Sequence, residues 1–221
     1  MRCLWVNLDR DHERREAFRD RVARVEDWPF ARPERWPGRE ESAPDWWLTG
    51  DAAWSIWRTH LALYADCLSR GTSEVAIFED DAVFCQDFGR RARELLAAVP
   101  GDWEQLYLGG HHHARPTAVS DQVLRPQTCN GTYAYALRGR GLVRPFELLA
   151  WAPHALGNDN AHIDTLLAAL HKQGFCRAYA PWRWLCGHAA GVSTRTGEES
   201  PEQWFFLCEE FLQRLREELR C

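Results

Sequence analysis

The chain has 221 residues, 45% of them hydrophobic and 27% charged, with a formal net charge of -5. That is a globular composition, long enough to bury a core, and it excludes disordered, repetitive and low-complexity chains. The mild acidity gives no global reason to expect nucleic-acid binding and leaves only a local basic groove open.

In chain order, Cys3 to Leu8 reads as a first strand buried on both faces. Arg10 to Val25 is helix-compatible, with a thin apolar stripe of Phe18, Val22 and Val25. Residues 28 to 50 carry Pro29, Pro33, Pro37 and Pro44, which rule out a regular helix or a central strand. The tryptophans of residues 28 to 57 divide between core packing and stacking on a sugar or base face. Asp51 to Arg70 is a stronger helix, capped by Asp51 and ended by Gly71. Glu74 to Phe78 is a short apolar strand. Asp87 to Ala98 is helical and stops at Pro100-Gly101. Trp103 to Leu108 is a strand running into Gly109-Gly110 and then His111, His112 and His113. Thr132 to Leu137 alternates like a strand, and Gly141 to Ala150 is helical. Ile163 to Lys172 is a helix with an apolar face, opened by Asn160 as its cap, and Phe175 to Ala180 is another strand. Ser200-Pro201-Glu202-Gln203 has the form of a capping box and predicts a C-terminal helix with Trp204, Cys208, Phe211, Leu215 and Leu219 as its stripe. Strands alternating with helices predict an α/β fold, a mostly parallel sheet flanked by helices. The domain reading is one unit over 1–200 with a C-terminal helix, 201–221, packed on it.

Leu4-Trp5-Val6 is too short for a signal peptide, and no stretch approaches the roughly 18 apolar residues of a membrane span. Eight cysteines without a CxxC pair predict reduced, mostly buried thiols and a cytoplasmic protein.

The informative stretch is Ile77-Phe78-Glu79-Asp80-Asp81-Ala82-Val83-Phe84. Open α/β sheets bind ligands beyond the C-terminal ends of their strands, and these acids follow such an end. Three adjacent carboxylates repel one another, and a divalent cation turns that cost into attraction. Hard oxygen ligands suit Mn2+ or Mg2+. In an extended segment Glu79 and Asp81 point one way and Asp80 the other, so the pair can share a metal while Asp80 holds a sugar or ribose hydroxyl. A turn at Asp80 exchanges those roles. A solvated turn capping the next helix is the alternative, and the apolar flanks count against it.

An apolar strand running into these acids resembles the motif of glycosyltransferase family 25, the lipopolysaccharide- and collagen-type transferases. Val6-Asn7-Leu8-Asp9-Arg10 with Arg14-Arg15 resembles its N-terminal signature, Thr59-His60 its Ser-His helix, and Leu106-Tyr107-Leu108-Gly109 and Thr132-Tyr133-Ala134-Tyr135 two of its strands. Ile163-Asp164 and Ala180-Pro181 resemble its late aspartate and proline. The glycine and cysteine before the Ser-His pair are missing, and residues 28 to 50 match nothing in the pattern.

The resemblance implies a GT-A (Rossmann-like) fold, a nucleotide-sugar donor such as a UDP-sugar, and inverting transfer to an acceptor hydroxyl. Glu79, Asp81 and His188 are then the expected metal ligands. Asp164 is the expected base, kept ionised by its helix dipole, with Asp159 as its substitute. Asp80 is the second catalytic carboxylate. Asn7, Asp9, Arg14, His60, Gly109 and His111 are expected around the donor, and Arg15 or Arg195 can also reach phosphate. The acceptor stays open among a glycan, a protein side chain and a nucleobase. A nucleotidyl or phosphoryl transferase, and a non-catalytic nucleotide-sugar-binding protein, are the competing readings.

Overall fold

The first strand, β1 (Arg2–Asn7), divides its side chains between two faces, and the same division runs through the whole sheet. The computed structural model describes residues 1–151, 162–192 and 197–219. After β1 come α1 (His12–Ala23), β2 (Glu34–Pro37), α2 (Gly50–Ser69), β3 (Glu74–Glu79), β4 (Ala82–Phe84) and α3 (Phe88–Ala98). The middle of the chain holds β5 (Gln105–Tyr107), β6 (His111–His112), β7 (Thr117–Ala118), β8 (Val123–Arg125), β9 (Cys129–Asn130) and β10 (Ala134–Arg138). Then follow α4 (Arg140–Trp151), α5 (Ile163–Lys172), β11 (Ala178–Pro181), β12 (Cys186–His188), β13 (Gly191–Val192), β14 (Glu199–Ser200) and α6 (Glu209–Glu218).

The central sheet has the order β2-β1-β3-β10-β5-β11-β8-β7. β2, β1 and β3 run parallel, as do β5 and β11. β10 runs against β3 and β5, and β8 against β11 and β7. The fold is therefore mixed α/β, with a large, mostly parallel sheet flanked by helices. On one face Cys3, Trp5, Ala76 and Phe78 pack against Phe18 of α1 and Ala92 and Leu95 of α3. On the other, Leu4, Val75, Ile77, Tyr135 and Leu137 pack against α2, α4 and α5 through Trp57, Leu63, Leu142 and Leu167. Burial on both faces explains why β1 and β3 are nearly continuous apolar runs.

The proline-rich segment contributes only an edge strand, β2, where a missing N–H costs no ladder bond. Its aromatic residues are structural. Trp28 packs with Phe30, Phe78, Phe84 and Phe88, and Trp46, Trp47, Trp54 and Trp57 meet edge to face. The seven described cysteines are free thiols, five of them buried. No described helix is long and apolar enough to cross a membrane.

Two predicted helix starts are corrected. Asp51 lies inside α2, and its Oδ1 accepts a 2.8 Å bond from the Ala43 backbone N–H, tying the preceding segment to the helix. Ser200 does not begin a helix. It lies in β14, and the Gln203 backbone exchanges two 2.9 Å bonds with His188. These pairings hold the segment extended, so α6 starts only at Glu209, and Trp204 packs over Gly187 instead of joining a helical stripe. α6 buries Leu212 and Leu215 with Leu124 and Trp182. Asn160, expected to cap α5, lies outside the described residues, as do Asp159 and Arg195. The residue before α5 is the extended His162.

Candidate active site

β1 and β3 are parallel neighbours, so their C-terminal ends reach the same edge of the sheet. β3 ends at Glu79, the chain turns through Asp80 and Asp81, and β4 leads away. β4 pairs with β12, which sets His188 opposite Ala82. That register brings His188 Nε2 to 3.0 Å from Asp81 Oδ2.

The three acids have different partners. Glu79 accepts a 2.5 Å bond from the Thr132 hydroxyl. Asp80 Oδ2 accepts a 2.6 Å bond from Asn7 Nδ2, and Asp80 Oδ1 a 2.8 Å bond from Arg14 Nε. Arg14 Nη2 also donates to Asp81 Oδ2 at 2.6 Å. Asn7 is itself held at its Oδ1 by Arg35 and Arg15. Arg21 donates to the Asp80 carbonyl. The result is a ladder of hydrogen bonds and ion pairs from Arg35 through the neutral Asn7, then Asp80 and Arg14, to Asp81 and His188. The chain does turn at Asp80, and both of its carboxylate oxygens accept bonds from protein donors.

Burial and charge separate the acids. Desolvation, aided by the Asp81 charge, raises Glu79 to about 7. Desolvation also raises Asp80, against the pull of Arg14 and Asn7. At Asp81 desolvation is outweighed by the bonds from His188 and Arg14, which hold it below the ordinary range. The Asp81 bond in turn raises His188. Asp81 is thus the acid most readily ionised, its bond to His188 favours the protonated imidazole, and Glu79 is the carboxyl that resists ionising.

These groups form the floor of a cavity of about 920 Å³. Asn7, Arg14, His60, Glu79, Asp80, Asp81, His111, Asp164 and His188 all line it. Asp164 stands in the first turn of α5, with Oδ1 accepting from the Thr165 N–H at 2.8 Å. His60 is buried beside Tyr135. His111 stacks on Phe205, 4.6 Å between ring centroids. Three predicted residues, Asp9, Arg15 and Gly109, stand apart from the cavity lining, and Arg15 bonds Asn7 and the Asp9 carbonyl instead. Asp9 is exposed and ion-paired with Arg35 at 2.5 Å. Gly109 is a packing position: a Cβ there would lie 2.3 Å from the Tyr133 ring and 2.6 Å from the Cys186 carbonyl oxygen. Among the described residues no tryptophan lines the cavity.

Sequence reasoning missed Arg35, Thr132, Tyr133, Gln203 and Phe205. Arg35 sits in the proline-rich segment and carries no local signal. Thr132 and Tyr133 belong to a recognised strand pattern that gave them no role. Gln203 and Phe205 reach the cavity wall because the C-terminal segment stays extended across it.

Among the described residues no three His, Cys, Asp or Glu side chains group closely enough to cage a metal ion. Asp81 Oδ1 is nevertheless buried without a hydrogen-bond partner. An orphaned carboxylate oxygen suits a hard or borderline divalent ion, and His188 Nε2 joins it as a donor only by losing its proton and its bond to Asp81. Mg2+ is commonly bound by one or two carboxylates together with substrate phosphates and water, so a pair of protein donors fits it.

No family model and no curated protein matches the chain. The solved structures it is similar to include A197 from STIV, with a TM-score of 0.42 and 12% identity over 94% of this chain and 97% of that one. A glycosyltransferase involved in glycosylation of the major capsid of PBCV-1 has a TM-score of 0.48 and 9% identity over 97% and 98%. A UDP-glucose pyrophosphorylase complexed with UDP-glucose has a TM-score of 0.41 and 10% identity over 86% and 66%. With every one of these TM-scores below 0.5, no residue role passes from them to this chain.

Proposed function

We propose that this protein is a glycosyltransferase of the family 25 kind, moving a sugar from a nucleotide-sugar, such as a UDP-sugar, to an acceptor hydroxyl with inversion. The observation that carries the reading is the acid cluster after β3 on the cavity floor, with Asp81 paired to His188 and retaining an unpartnered buried oxygen. Asp81 and His188, with Glu79 close behind, would hold Mn2+ or Mg2+. When bound, that ion supplies Lewis-acid stabilisation of the leaving diphosphate.

The chain's own residues do the rest. Arg14 adds fixed positive charge beside the diphosphate, oriented by Asp80 and Asp81. Asp80 therefore acts through Arg14 and Asn7. Asp164 takes the proton of the acceptor hydroxyl as that oxygen attacks the anomeric carbon and the bond to the diphosphate breaks on the opposite face. Asn7 lies on the nucleoside side, near the end of β1. The acceptor is a glycan, protein or nucleobase hydroxyl or equivalent group.

A nucleotide-sugar panel incubated with protein and Mn2+, read by mass spectrometry, tests this. We expect hydrolysis of at least one donor at the anomeric carbon, abolished in Asp81→Ala. Cleavage at phosphorus would establish a nucleotidyl transferase instead. Binding without turnover would establish a non-catalytic protein, and neither binding nor cleavage would defeat the proposal.

A further inference from the structure

Tyr64, Tyr135 and His60 form a hydrogen-bonded chain on the α2 face of the sheet. The two phenol oxygens are 2.8 Å apart, and the Tyr135 oxygen is 3.0 Å from His60 Nδ1. None of the three residues is more than 1% exposed. Among the described residues the Tyr64 hydroxyl has no other hydrogen-bond partner.

Counting protons orients this chain. A neutral imidazole carries one N–H, and each phenol one O–H. In one order Tyr64 donates to Tyr135, and Tyr135 donates to His60 Nδ1. Every buried hydroxyl proton then has an acceptor. In the reverse order Nδ1–H donates to Tyr135, Tyr135 donates to Tyr64, and the Tyr64 proton is stranded in the core. A stranded buried donor disfavours that order by about tenfold or more. The favoured order leaves the imidazole proton on Nε2. That atom has no protein partner among the described residues, and His60 lines the cavity.

We propose that Tyr64 and Tyr135 are positioning residues that fix His60 as its Nε2–H tautomer, so that one uncharged N–H faces the cavity and binds the oxygen of a neutral ligand group, a hydroxyl or a carbonyl. Desolvation lowers His60 to about 4, which keeps the ring neutral across the working range. Arg14 offers a full charge for phosphate, and His60 offers a dipole for an uncharged oxygen. Which ligand carries that oxygen rests on the transferase reading above. The tautomer does not.

The test is nitrogen-15 NMR of the imidazole rings at pH 7, without ligand, with His60→Gln identifying the His60 signals. Long-range proton–nitrogen correlations report which ring nitrogen is protonated. We expect Nε2 in the wild type and in Tyr64→Phe, where Tyr135 still donates to Nδ1. In Tyr135→Phe, Nδ1 loses its donor, and the minor tautomer should rise from below about a tenth to a comparable share. A proton on Nδ1 in the wild type overturns the proposal, as does a Tyr135→Phe spectrum identical to wild type in a protein that melts normally. If that variant fails to fold, the wild-type tautomer decides alone. A second arm adds UDP-glucose and Mg2+ and follows the Nε2–H resonance. A shift supports the ligand contact, and calorimetric binding with no shift refutes it. Absence of binding would count against the transferase reading, while the ligand-free tautomer still decides the relay.

Discussion

Glu79→Gln should stabilise the metal-free protein at alkaline pH and do little in acid. The Glu79 carboxyl is raised from its ordinary 4.5 to about 7, chiefly by desolvation and then by the Asp81 charge. A folded-state pKa above the unfolded one gives stability that is full below about 4.5 and is lost as pH rises through about 7. The wild type therefore pays, above neutrality, for ionising a buried acid. Glutamine cannot ionise, keeps the volume and still accepts the bond from Thr132. Between pH 5 and pH 8 the shift is worth about 2–3 kcal/mol at 1.36 kcal/mol per pKa unit. In a chain of this size that is roughly 4–12 °C in Tm. Denaturant unfolding of both proteins in EDTA at the two pH values measures it. The variant should gain on the wild type by that amount at pH 8 relative to pH 5. An equal difference at both pH values would show that Glu79 is not held in a desolvated, like-charged setting.

Three further outcomes follow from the same geometry. Arg14→Met strips the cation shared by Asp80 and Asp81 and should cost about 3–5 kcal/mol at pH 7 in denaturant melts. Because Arg14 helps hold Asp81 below the ordinary carboxylate range, that deficit should shrink as pH falls through the range; a pH-independent deficit would implicate packing instead. Gly187→Ala puts a Cβ 2.6 Å from the Trp204 ring and should destabilise by about 1–3 kcal/mol while freeing the Gln203–His188 pairing, seen as faster amide exchange at those two residues. Asp164→Asn should lower transfer to an acceptor about 10²–10⁴-fold with nucleotide-sugar affinity unchanged; unimpaired transfer would remove Asp164 as the base.

Much of the architecture was readable locally. The alternation of apolar runs and helical stripes gives the α/β order, because burial on two faces leaves a run such as Val75-Ala76-Ile77-Phe78 without polar interruptions. The helix over Ile163–Lys172 is fully specified by its own periodicity. The C-terminal helix was misplaced because a capping box is a local preference, and pairing with His188 and β13 overrides it. The reversed strands β10 and β8 were not legible either, since strand direction depends on connections, not on composition.

By itself, the sequence determined that three carboxylates end a buried strand, and that something positive must face them. Only the tertiary structure decided what that is. Asn7 and Asp80 meet from 73 positions apart, and Arg14, Arg21 and His188 arrive from α1 and β12. Charges are neutralised through space at a few ångströms, and the fold, not the order of residues, sets those distances.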